Sequence, residues 1–181
     1  MKTEPIPAEW DAIICPEFSY WGGMDILESH WERTQAFAED EPGSDGFQEF
    51  IFWRRLSVIW TCSTIEAVVN GEGTVWLGEI FYKDNLERLG IIQKIHTLYA
   101  LKYRVRLPRK PGHLTDVTKL FELRNTLVHP KTREVPQEGT RKNERPSLLR
   151  SMEFNHLRKV IWTVTALFEP DGNVETDGDA N

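Results

Sequence analysis

A chain of 181 residues with 40% hydrophobic content, seven Trp and nine Phe has enough apolar surface for one core and is short for two domains. Cys15 and Cys62 are too few for a disulfide framework, and the opening MKTEPIPAEW lacks the basic start and apolar stretch of a secretory leader. No run of about 18 uncharged apolar residues occurs, so the expectation is a cytoplasmic protein without a membrane partner.

The formal charge of −6 argues against a nucleic-acid partner only until its distribution is considered. Residues 102–150 hold 13 Lys/Arg against 5 Asp/Glu, which leaves the rest of the chain strongly acidic. The densest piece is KYRVRLPRK, with Lys102, Arg104, Arg106, Arg109 and Lys110, and Lys131 and Arg133 follow soon after. These seven are the candidate nucleic-acid-binding residues, although a charge run is also what any solvated surface loop shows.

Helical periodicity runs through the chain without period-2 alternation, so the expected class is all-α, an up-and-down bundle of four to five helices. The first helix spans about Met24 to Glu39 and ends at the Pro- and Gly-containing loop from Asp40. The second, rich in aromatics, runs from about Gly46 to Asn70, with Gly71 and Gly73 expected to stop it. A third starts at Asp84, whose side chain is placed to cap with Glu87 three residues on, and continues through Leu101. The fourth starts at Thr115 and ends before Pro130, and the fifth covers about Ser151 to Phe168. Residues 24–168 thus form the domain, after an N-terminal segment 1–23 and before an acidic, turn-rich tail, 169–181, whose composition predicts disorder.

The fourth helix is the unusual one. At about 100° per residue, Val117, Leu120, Phe121, Leu127 and Val128 make one apolar stripe with Arg124 in its middle. An unpaired guanidinium there would cost several kcal/mol, so Arg124 needs a carboxylate, an interface or a water-filled cleft. Asn125 and His129 share one edge of the stripe, and His129 falls in the last turn, where the helix dipole favours its charged form. On helix physics alone, Arg124 pairs with a core acid such as Glu66, and His129 caps the helix end.

The segment ELRNTLVHPK, however, resembles the signature of the HEPN superfamily: an Arg, a polar residue directly after it, and a His that here follows four intervening residues. The likeness covers Thr115 to Pro130, and the bundle layout extends it loosely to the whole domain. A fainter similarity lies in STIEAVVN, where Glu66 and Asn70 close a long helix as a Glu and Asn pair does in many such proteins. Some members carry a Tyr two residues after the His that is nucleotidylated by an antitoxin; Lys131 stands there instead, so that regulation is not expected.

The resemblance implies a metal-independent endoribonuclease of the toxin or phage-defence kind, a homodimer in which two facing motifs share one cleft. Arg124, Asn125 and His129 would be its catalytic residues, with Glu66 and Asn70 in support and a 2′,3′-cyclic phosphate as product. Possible partners, besides RNA, are an antitoxin or regulatory protein. The alternative is a non-catalytic HEPN-like module that binds a nucleotide, RNA or a protein partner through the same cleft. No metal or cofactor is expected: histidines 30, 96, 113, 129 and 156 show no His-x3-His spacing, and the cysteines form no Cys-x2-Cys pair. Cys62 and His96 read as structural residues of apolar helices rather than as catalysts.

Overall fold

The computed structural model describes residues 20–41, 43–107, 114–128 and 153–168. Six α-helices and no strand occur among them: α1 (Tyr20–Gln35), α2 (Asp45–Leu77), α3 (Glu79–Asn85), α4 (Ile91–Tyr103), α5 (Thr115–Val128) and α6 (Phe154–Ala166).

Helix α2 is the centre. Its 33 residues extend for about 50 Å, and each of the other five helices packs against it, while α1 also packs against α6. Its buried residues fall on one half of the helix surface, from Phe50 and Ile51 through Val58, Cys62 and Ile65 to Val69 and Gly73, while Asp45, Gln48, Glu49, Phe52 and Arg55 are exposed on the other. Small residues let its neighbours approach closely. Ser57 and Thr61 are buried, and their hydroxyls donate back to the carbonyls of Trp53 at 3.0 Å and Ser57 at 2.8 Å, which avoids unpaired polar groups. Thr64 faces Gly23 of α1, where an added Cβ would come within 2.5 Å of the Thr64 side chain. The same crossing is tied by Trp60, whose indole N–H donates to the Gly23 carbonyl at 2.9 Å. Helix α6 then lays the stripe Leu157, Val160, Ile161 and Val164 into the core, with Trp162 left outside.

The start of α2 follows local chemistry: Ser44 sits at its N-cap and its hydroxyl accepts from the Phe47 N–H at 3.0 Å. Its end corrects the sequence reading. Gly71 and Gly73 do not stop the helix, which continues to Leu77 and closes at Gly78, a residue with φ of 82°. The cost of a helical glycine, about 1 kcal/mol each, is offset at Gly73 by packing, because the Tyr82 ring lies where a side chain would be. Asp84 does not begin a helix either. It lies inside the short α3, and α4 starts seven residues later, after Gly90, whose N–H donates to the Gln93 side chain at 3.2 Å. With α2 unbroken, the chain must reverse at Gly78 and lay α3 against it, which seats Tyr82 on Gly73.

The two glycines give a paired test. Gly71→Ala, with open space around its Cβ, raises stability by about 0.5–1 kcal/mol through helix propensity. Gly73→Ala, whose Cβ would stand 2.3 Å from the Tyr82 ring, lowers it by roughly 1–3 kcal/mol through overpacking. Urea unfolding of the single variants therefore shifts their midpoints in opposite directions; a shift in the same direction would contradict the packing described.

Candidate functional site

Cys62, Glu66 and Asn70 recur every four residues along α2 and so form one row, each step rising about 6 Å along the axis. Three other helices bring polar side chains to this row. From α5, Arg124 Nη2 donates to Glu66 Oε1 at 2.5 Å, with its guanidinium 5.3 Å from the Phe121 ring centre. From α3 and α4, Tyr82 Oη and Lys94 Nζ both donate to Asn70 Oδ1, the lysine at 2.9 Å.

Of the three solutions helix physics left open for Arg124, the structure shows a carboxylate pair with Glu66, but it is not sealed: the two side chains retain 23% and 41% of their exposure. Cys62, one turn back, is fully buried, and burial pushes its thiol up to about 12. The nearby Arg124 charge pulls the other way without overcoming burial, and Glu66 adds to the rise. The thiol therefore stays protonated at neutral pH and is a core group rather than a nucleophile.

Helix α5 buries Val117, Leu120, Phe121 and Leu123, and its stripe opens from Arg124 onward. Leu127 is only half-buried and Val128 is 44% exposed, where the sequence pattern alone placed both in the apolar stripe. Asn125 is exposed and does not join the Glu66 pair. His129, the third member of the predicted cluster, lies outside the described residues and follows directly on the last residue of α5.

Of the predicted basic residues, Arg104 and Arg106 are exposed just beyond α4, and Arg104 takes a left-handed φ of 57° as its C-cap. Lys102 is tied down: it pairs with Glu72 at 3.2 Å and donates to the Phe168 carbonyl beyond the end of α6, a favourable place for a cation. Arg109, Lys110, Lys131 and Arg133 lie outside the described residues. His96, expected as a structural residue of an apolar helix, faces solvent instead, because it is Lys94 that shares the α4 face of Ile95 and Leu98. Among the described residues no group of three or more His, Cys, Asp or Glu is placed to hold a metal ion.

Two members of the row's surroundings, Tyr82 and Lys94, escaped the sequence reading. The signal for Lys94 was present and of the same kind as for Arg124: a cation three residues after Ile91 and four before Leu98, within an apolar stripe. Arg54 is a third instance. It is buried on α2 with its guanidinium 3.7 Å from the Trp31 ring centre, and burial lowers its pKa to about 10. There the cation is absorbed by aromatic packing between α1 and α2, away from the Glu66 row.

Exposure decides what the Arg124–Glu66 pair is worth. A sealed pair loses about 3–5 kcal/mol when one partner is removed, whereas an open one is worth about 1 kcal/mol or less. Glu66→Gln, which keeps shape and an acceptor, lowers stability by no more than about 1 kcal/mol in urea unfolding; a loss near the sealed-pair value would make the pair a structural clamp. Compared with protein-family models, curated proteins and solved structures, the chain matches none of them.

Proposed function

We propose that the chain is a metal-independent endoribonuclease built as a HEPN-like helical bundle, acting as a homodimer with a composite cleft. One observation carries this reading: Arg124 stands on the buried face of α5 where the apolar stripe opens, held by Glu66 but still in contact with solvent, immediately before Asn125 and His129. A guanidinium needed only for the fold would be better replaced by a leucine or sealed in its ion pair. One retained half-open on an interface-like face suits an anionic ligand that competes with, or bridges beside, the carboxylate.

The partly exposed Leu127 and Val128 support the twofold arrangement, since a second copy would cover them and bring a second Arg124 to the same cleft. In the reaction, the ribose 2′-oxygen attacks the adjacent phosphorus while His129 accepts the hydroxyl proton. A new 2′-O–P bond forms and the P–O5′ bond breaks. The departing 5′-oxygen takes a proton from the partner subunit's motif or from water, leaving a 2′,3′-cyclic phosphate. Arg124 neutralises charge that builds on the non-bridging oxygens, and Asn125 orients the phosphate or the imidazole. The exposed Arg104 and Arg106 supply backbone contacts, so binding weakens as salt rises.

Arg124→Ala and His129→Ala each lower RNA cleavage at least about 100-fold, the range expected for loss of a proton-transfer or charge-stabilising group. The fold, followed by circular dichroism, is unchanged, and EDTA leaves wild-type cleavage unaffected. Full activity in His129→Ala sinks the nuclease reading. A dimer that binds RNA in a salt-dependent way but never cuts it replaces that reading with a non-catalytic HEPN-like binding module.

A further inference from the structure

Lys94 is 7% exposed, and no carboxylate pairs with it among the described residues. Its contacts are the Asn70 carbonyl oxygen at 2.9 Å and the face of the Tyr82 ring, 5.6 Å to the centre. Burying an ammonium against a neutral amide is expensive if the fold is its only use. What the contact does accomplish is to fix the amide. An ammonium has no lone pair to offer, so the Asn70 atom facing it must be the oxygen. Tyr82 donates to that same oxygen, and burial, with Glu87 adding to it, pushes the phenol up to about 12, so it remains a donor through neutral pH. The Tyr82 ring is itself fixed against Gly73.

With its oxygen taken by two donors, the amide cannot flip. Its NH2 group has no partner among the described residues, although Asn70 is only partly buried and stands one turn from the open Arg124–Glu66 pair. A cation behind the carbonyl also polarises the amide and strengthens its N–H groups as donors. We propose that Lys94 and Tyr82 are positioning residues that present the Asn70 NH2 group, one helical turn from Glu66, as a subsite for a phosphate oxygen. Assigning that phosphate to an RNA backbone rests on the RNase reading; the subsite itself does not.

The test uses inorganic phosphate on the full-length protein, read at the Asn70 side-chain amide by nitrogen–proton correlation and assigned through its loss in Asn70→Ala. In the wild type this signal shifts saturably with phosphate. In Lys94→Met, which keeps the buried chain but removes the charge, the apparent affinity falls at least tenfold. Tyr82→Phe preserves the ring against Gly73, removes the hydroxyl and weakens binding several-fold, so the idea stays testable if Lys94→Met does not fold. Lys94→Arg restores part of the affinity, which loss of packing alone would not predict. An absent shift in the wild type, or equal affinity in wild type and both charge- and hydroxyl-lacking variants, overturns the subsite. RNA cleavage by the wild type is scored separately: phosphate binding without cleavage upholds the subsite and removes the nuclease, and cleavage without an Asn70 response does the reverse.

Discussion

Helix α2 packs against five neighbours, and it carries Glu66 and Asn70, both partly buried, at the edge of that contact surface. Polar groups withdrawn from water are favoured when paired, and the helices that pack on α2 bring partners with them. Helix α5 brings Arg124, α4 brings Lys94 and α3 brings Tyr82. The placement of three helices and the chemistry of the candidate site are thus consequences of one constraint. Each cation also explains a local oddity, since both interrupt apolar stripes that would pack better as leucines.

Three of the inward-facing cations are handled differently. Arg54 is stacked on Trp31 and lowered in pKa by burial, a packing solution that uses the planarity of guanidinium. Lys94 is covered and holds an amide. Arg124 keeps a carboxylate partner and contact with solvent, as Lys102 does with Glu72, but it does so inside an apolar stripe and where α5 is about to end. A half-open pair is cheap to break and still restrains the side chain, so an incoming anion meets an oriented guanidinium rather than a floppy one. That combination, more than the presence of an arginine, is what the functional reading depends on.

The all-helical class was legible because apolar spacing of 3.6 survives in most of the chain, and α5 and α6 lie close to where the periodicity put them. The course of the chain around residues 71–91 was not. Gly71 and Gly73 look like stop signals locally, but the reason for Gly73 is the ring of Tyr82, nine residues on, and no local pattern encodes that contact. Arg124 and Glu66 were named from residue chemistry alone, and the structure joins them across a separation of 58 residues. Tyr82 was invisible because its role is set by α3, whose first residues fell in a stretch before Asp84 to which the sequence pattern gave no helix. Lys94 was legible by the argument applied to Arg124, a cation within an apolar stripe, but its neighbour His96 drew the attention a histidine usually draws.

The central claim is that Arg124 and His129 serve phosphodiester cleavage rather than the fold. Incubation of the purified chain with mixed RNA in EDTA, followed by chemical analysis of the new ends, tests it most directly. The account predicts 2′,3′-cyclic phosphate and 5′-hydroxyl termini that are absent from a parallel Arg124→Ala sample. Intact RNA, or products ending in 3′-hydroxyl and 5′-phosphate, would contradict it.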